Sequence, residues 1–222
     1  MASRSLAGSL ARSHPPEMLE DLPIFPLPGV VLMPGAMLPL HVFEPRYRAL
    51  VRHCMAGDRI LGIATLQPGS EDEPDGLPEL YPEIGIRLIV AHERLDDGRS
   101  NILLEHIARA EIVEDLPTEQ PFRLVRAGLH ADDPDGAAVP LAQLRALVLQ
   151  LAAIRPAARE EAGRIIALPD AEMLDELARR ILEDPDDQRR YLVLDRYVER
   201  AGLLGSRLGA VLAPKGTPTA EA

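Results

Sequence analysis

The dominant spacing of apolar positions differs between the two halves of the chain. From Leu22 to about Leu129 apolar residues recur at every second position, the period of a half-buried strand. From Val139 to Ala213 they recur at every third or fourth, the period of an amphipathic helix. The change falls at Ala131-Asp132-Asp133-Pro134-Asp135-Gly136, a polar, turn-rich stretch suited to a domain boundary. The pattern therefore predicts an α+β chain: a flexible leader over 1–20, a β subdomain over 21–130, a helical subdomain over 137–213 and a flexible tail over 214–222.

Within the first half, Leu22-Pro23-Ile24-Phe25-Pro26-Leu27-Pro28 interleaves apolar residues with prolines, which have no N–H to give a ladder, so it predicts an edge or opening strand. Val30 to Met33 reads as a short buried strand stopped by Pro34-Gly35, a pair suited to the centre of a type II turn. A further strand is predicted over Met37 to Val42. Glu44-Pro45-Arg46 then opens a helix on which Tyr47, Leu50, Val51 and Cys54 share one face, and Gly57 can end it. Arg59 to Leu66 is strand-like, and Pro68 to Glu83 reads as an acidic loop. The strongest two-strand signal runs from Ile84 through Leu95, turns at Asp96-Asp97-Gly98 and returns from Ile102 to Val113. Phe122, Leu124 and Ala127 make a last strand. Five to seven strands with one interpolated helix predict a small, partly closed barrel.

In the second half a helix over Leu141 to Leu151 is closed by Pro156, and another starts at Asp170 as its N-cap. A third starts at Asp184-Pro185 with Tyr191, Leu194 and Val198 on one face, and a glycine-interrupted one follows through Leu203 to Leu212. These predict a compact helical bundle.

Charge and composition narrow the chemistry. The net charge of −11 works against phosphate backbones and anionic lipid. Of the 24 basic residues all but Lys215 are arginine, which argues against a phosphate-binding G-x-x-x-x-G-K loop, a Schiff-base lysine and a Ser-Lys dyad. Cys54 stands alone, so no intrachain disulfide can form and a thiolate metal cluster lacks ligands; a reducing cytoplasm fits. No apolar run approaches the ~18 residues that span a bilayer.

His41-x-x-Glu44 resembles a metal or acid–base pair, but Pro45 follows where an H-x-x-E-H site needs histidine, so structural capping is the better reading. Cys54 lies on an apolar helix face, where a thiol behaves as a small hydrophobe. The apolar stretch Leu32 to Leu38 carries Met33 and Met37 beside Pro34 and Leu38. Those residues either fill the barrel or form a partly exposed, adaptable patch.

Leu22-Pro23-Ile24-Phe25-Pro26-Leu27 with Val30-Val31-Leu32-Met33-Pro34-Gly35, then Leu38-Pro39-Leu40, resembles the opening motif of the Lon protease N-terminal domain. Phe43-Glu44-Pro45-Arg46-Tyr47 looks like the stand-alone bacterial form of that family. Gly85 with Arg87, Glu93 to Leu95 and Asp97-Gly98 are similar to its central hairpin, Leu103-Leu104-Glu105 with Arg109 to its next strand, and the helix around Arg189 to Arg200 to its C-terminal helical half. The resemblance covers about residues 20 to 213. It implies a PUA-like β-barrel followed by a helical bundle, a region that in full Lon proteases helps recognise unfolded substrates and supports oligomer assembly. The sequence has no Walker loop and no Ser-Lys dyad, so the resemblance does not extend to ATP-driven proteolysis.

The expectation is a cytoplasmic, non-catalytic binding module with no cofactor and no metal. It would engage unfolded or partly folded protein segments through Met33, Pro34, Met37 and Leu38 and the adjoining Arg46-Tyr47 helix, with a Lon-type ATPase in trans as a candidate partner and the oligomeric state open. A membrane partner is not expected. Two rivals remain: RNA binding, as some PUA-like barrels do, through Arg87, Arg94, Arg99, Arg109, Arg123 and Arg126; and a hydrolase built on His41 or Cys54.

Overall fold

The computed structural model describes residues 17–70 and 78–212; the expected tail and nearly all of the expected leader lie outside them. Six strands and six α-helices make up the described chain. The strands are β1 (Met18–Pro28), β2 (Leu38–Val42), β3 (Ile60–Leu66), β4 (Leu80–Arg94), β5 (Ser100–Leu116) and β6 (Arg123–Leu129). Helix α1 (Pro45–Ala56) lies between β2 and β3. The helices α2 (Ala138–Ile154), α3 (Arg159–Ile166), α4 (Asp170–Ile181), α5 (Pro185–Val193) and α6 (Tyr197–Leu212) follow the sheet.

The sheet order is β2-β5-β4-β3-β1-β6, and β5 also pairs with β6, so five of the strands form a closed circuit with β2 attached outside it. Leu22, Ile24, Ala64, Ile84, Ile86, Ala110, Val125 and Ala127 fill the inside of that circuit, one face of every strand in it. Three of the eight are alanine because a narrow ring leaves little room. Gly62 shows the limit: a Cβ there would stand 2.6 Å from Cδ1 of Ile24. The opposite face of the strands packs on Tyr47, Leu50, Val51 and Cys54, the α1 stripe that the periodicity predicts.

Three strand predictions change. β1 is not an edge strand; it lies between β3, paired in parallel, and β6, paired antiparallel. Its prolines are tolerated because the two pairings overlap only at Ile24. β6 pairs as far as Ile24 and β3 from Ile24 onward, so Pro23, Pro26 and Pro28 each have a ladder on one side only. Val30 to Met33 forms no strand, for a reason given below. β4 begins at Leu80, inside the predicted acidic loop, whose residues 71–77 fall outside the description. The turn at Pro34-Gly35 is as expected, with Gly35 at φ +75° and the Ala36 N–H directed at the Met33 carbonyl, 3.5 Å away.

Among the helices, α3 carries no separate sequence prediction. Asp170 is the first residue of α4, with Pro169 at the cap, so it acts on the helix dipole instead of capping. α5 ends at Val193, and Val198 belongs to α6. Asp184 caps α5 as its sequence suggests, accepting from the N–H groups of Asp186 and Asp187.

Candidate functional site

Arg87 on β4 organises the segment between β1 and β2. Wholly buried, it donates to the carbonyls of Ala36 (2.6 Å), Leu32 (3.1 Å) and Met33 (3.2 Å). Those carbonyls take a side-chain donor where a strand would give them a ladder, which is why Val30 to Met33 stays irregular. Burial lowers the Arg87 pKa to about 10, still well above neutrality. Its neighbour across the ladder, His106, is pushed down to about 3 by burial first and then by Arg87 and Arg109, so its imidazole is neutral at physiological pH.

The arrested segment points two ways. Met33 joins the core of the helical half, Pro34 is buried, and Gly35 abuts the Arg179 guanidinium on α4. Met33 and Pro34 therefore offer no surface to a partner. Met37 is 48% exposed, while Leu38 is half-buried against the α1 core.

Arg46 and Tyr47, at the start of α1, stand at the wall of an open cleft of about 940 Å³, a size typical of ligand clefts. A second depression of about 360 Å³ adjoins it, and Pro26, Arg46, Tyr47 and Pro78 line both. Tyr47 is fixed between the Phe25 ring, stacked at 4.0 Å, and the Arg46 guanidinium, 4.5 Å from its centroid. Burial raises the phenol pKa against the opposing pull of Arg46. The far wall comes from the end of β5 and its link to β6: Ile112, Leu116, Pro117, Pro121 and Phe122.

The two arginines of the lining are paired with carboxylates. Arg46 pairs with Glu44 at 3.0 Å, and Arg123 grips both oxygens of Asp115 at 2.8 Å while donating to the Pro78 carbonyl. What remains facing the cleft is mostly apolar and rich in proline, with Gln67, Glu79, Thr118 and Gln120 as its polar positions. Such a surface suits an extended aliphatic chain, and among the described residues no nucleophile–base pair lies in it. The sequence reading places Ile112 and Phe122 on strands and assigns Leu116, Pro117 and Pro121 to no element, so it does not identify this wall as part of a site. The signal available was Pro117 and Pro121 bracketing the approach to Phe122, an aromatic in a chain with few.

The rival sites disperse. Cys54 is buried and its pKa is pushed up to about 12 by desolvation. His41 is exposed on β2, bonded to Asn101 at 2.8 Å with Arg99 at its other nitrogen. Among the described residues no group of three His, Cys, Asp or Glu is placed to hold a metal ion. Five of the six sheet arginines are committed: Arg87 to carbonyls, Arg99 to Asp97, Arg109 to Asp132, Arg123 to Asp115, and Arg126 to Glu20 and Glu114.

A polar junction built on two buried arginines joins the sheet to the helices. Asp132 accepts from Arg109 (3.0 Å), Arg200 (2.5 Å) and the Tyr197 hydroxyl (3.1 Å), and Arg109 also donates to the carbonyls of Leu192 and Leu194. Burial opposes the Asp132 charge, but Arg200 and Arg109 outweigh it and hold the carboxyl below its usual range. Asp175, bonded to Tyr191, goes the other way, raised by burial.

Residues 21–194 match the family model of the ATP-dependent protease La (LON) substrate-binding domain. The chain belongs to the Lon substrate-binding domain family. A curated relative is the Lon protease of Roseiflexus castenholzii, 32% identical over 194 residues that cover 84% of this chain and 23% of that protein. This Lon substrate-binding domain thus spans about a quarter of such a relative's length. Among solved structures the N-terminal domain of the Mycobacterium avium complex Lon protease aligns with a TM-score of 0.62 at 17% identity, covering 86% of this chain and 98% of that one. The Lon N-terminal domain protein from Xanthomonas campestris aligns with a TM-score of 0.58 at 22% identity, covering 85% and 98%. At these identities the two structures establish a shared fold for this Lon domain, a mixed α and β architecture.

Proposed function

We propose that this Lon substrate-binding domain is a non-catalytic module that holds extended apolar segments of unfolded or partly folded proteins in the cleft beside Arg46 and Tyr47. Met37 and Leu38 extend the contact surface at the turn. The closed circuit of five strands reads as a PUA-like barrel, and α2 to α6 as a bundle seated on it. The observation that carries the reading is the cleft itself: large, open and proline-lined, with both of its arginines paired to carboxylates and Glu79 at its rim. A polypeptide entering it strands neither arginine, because both keep their carboxylate partners, and burial of its aliphatic side chains supplies the affinity, at about 25 cal/mol per Å² before ordering costs are subtracted.

A Lon-type ATPase acting in trans is the fitting recipient of such clients. The cytoplasm is the fitting compartment, supported by the lone buried thiol; among the described residues no helix is long and apolar enough to cross a membrane. RNA binding is disfavoured by a pI near 5.0 and by the carboxylates that occupy the sheet arginines.

The test is fluorescence anisotropy with labelled, permanently unfolded casein against wild type, Leu116→Asp and Met37→Asp. A loss of tenfold or more in Leu116→Asp is expected, with a smaller loss in Met37→Asp. Equal affinity of Leu116→Asp and wild type removes the cleft from the mechanism, and equal affinity of Met37→Asp removes the turn. A labelled RNA oligonucleotide shifted in a gel at low salt would favour the RNA reading instead.

A further inference from the structure

Helix α2 buries Leu141, Leu144, Val148 and Ala152 against the helical half. Its opposite face is unusual for a solvent-facing one. Val139, Ala142, Gln143, Ala146, Leu149, Gln150, Ala153 and Ile154 are all exposed, and none is charged. At 100° per residue these eight fall within an arc of about 140°, in a row about 22 Å long. Val139, Leu149 and Ile154 are 67%, 49% and 65% exposed, well beyond a half-buried core position. The contrast with α4 is direct: its exposed positions are Asp170, Glu172 and Arg180. In a chain where 27% of residues are charged, a charge-free, largely apolar row of this length marks an interaction surface.

The charges at the two ends of the row identify the occupant. Asp135 lies just before the helix, and Arg155 and Arg159 lie just after it. All three are exposed, and none has an ion-pair partner among the described residues. A parallel neighbour of the same kind would set acid against acid and base against base. An antiparallel one sets Asp135 of each copy beside Arg155 and Arg159 of the other and opposes the helix dipoles. The small side chains Ala142, Ala146 and Ala153 let two such helices approach closely, with Val139 and Leu149 packing across the seam. We infer that α2 is a self-complementary surface on which a second copy of this chain docks antiparallel about a two-fold axis, an isologous interface. One helix row is small against a standard interface of about 800 Å² per partner, so the dimer is concentration-dependent. This inference is independent of the cleft and of what the cleft binds.

Sedimentation velocity of the full chain from about 1 to 100 μM tests it. Wild type is expected to move from 24.2 kDa to twice that mass across the series. Leu149→Glu, and separately Val139→Glu, is expected to raise the dissociation constant at least tenfold; both sites are exposed, and far-UV circular dichroism checks that each variant is folded. Asp135→Arg and Arg155→Asp should each weaken the dimer, and the double variant should restore it. A wild type that stays monomeric throughout, or folded variants that dimerise like wild type, overturns the proposal. Failure of the charge swap to restore association overturns the antiparallel arrangement.

Discussion

Replacing Asp132 with alanine tests whether the polar junction holds the sheet and the helices together. The carboxylate joins two guanidiniums that are 5% and 1% exposed, so its removal leaves two buried cations facing each other. Breaking a fully buried ion pair by removing one partner costs about 3–5 kcal/mol. Two features reduce that here. Asp132 is itself 42% exposed, and Asp195 and Asp175 remain 3.6 Å from Arg109 and 3.9 Å from Arg200. The expected loss is therefore about 2–3 kcal/mol, a fall of roughly 5–10 °C in melting temperature for a chain of this size. Urea denaturation at pH 7 measures it, with Asp115→Ala as the comparison. Asp115 is 56% exposed in its pair with Arg123, so its removal should cost under about 1 kcal/mol. The sign with pH follows from the depressed Asp132 pKa: the stabilisation is complete above the unfolded-state value near 3.8 and disappears as pH falls through the lower folded-state value. The gap between wild type and Asp132→Ala should thus close in acid. A loss below about 0.5 kcal/mol at pH 7, or a gap that persists in strong acid, would refute the assignment of this junction as the joint between the halves.

Two further outcomes follow from the buried groups. Cys54, with its thiol pKa near 12, should be inert to a thiol-specific reagent at pH 8 in the native state and react stoichiometrically once unfolded; rapid native labelling would contradict its burial. His106, neutral in the fold down to about pH 3 but titrating near 6.5 when unfolded, should make stability decline as pH drops from about 6.5 towards 3, and His106→Gln should flatten that decline in urea titrations; an unchanged slope would show that His106 is not the group responsible.

The sequence shows most clearly the elements whose signal is local. The β4–β5 hairpin follows from alternation around Asp96-Asp97-Gly98, α1 from Pro45 and the stripe Tyr47, Leu50, Val51, Cys54, and α5 from Asp184 before Pro185. Errors arise where a partner distant in sequence decides. The prolines of β1 indicate an edge until the staggered pairing with β3 and β6 is known, and Val30 to Met33 reads as a strand until Arg87, more than fifty positions away, takes its carbonyls. The candidate site divides in the same way. Arg46 and Tyr47 were accessible through the helix start, but the opposite wall from Ile112 to Phe122 is brought to them only by closure of the sheet. Met33 looked available because a methionine beside a turn carries no mark of which core it enters.

The arginine excess has a physical reason that composition alone leaves open. As a sequence feature it serves to exclude lysine-dependent chemistry. In the fold, three arginines among the described residues are buried cross-links between elements: Arg87 ties β4 to the segment before β2, Arg109 ties β5 to the end of α5, and Arg200 ties α6 to the Asp132 linker. Each uses the planar guanidinium fork to reach several acceptors at once, three carbonyls for Arg87, and two carbonyls and a carboxylate for Arg109. A lysine brings the same charge but a single compact, more strongly hydrated ammonium, so in these places it would leave acceptors bare and be harder to bury. Arg123, mostly buried, and Arg126, at the surface, direct their donors to Asp115, Glu20 and Glu114. Arginines turned inward or paired with acids in this way join the sheet to the helices, and on the sheet they leave few cations for a polyanion, which is the electrostatic condition the proposed binding of uncharged polypeptide segments requires.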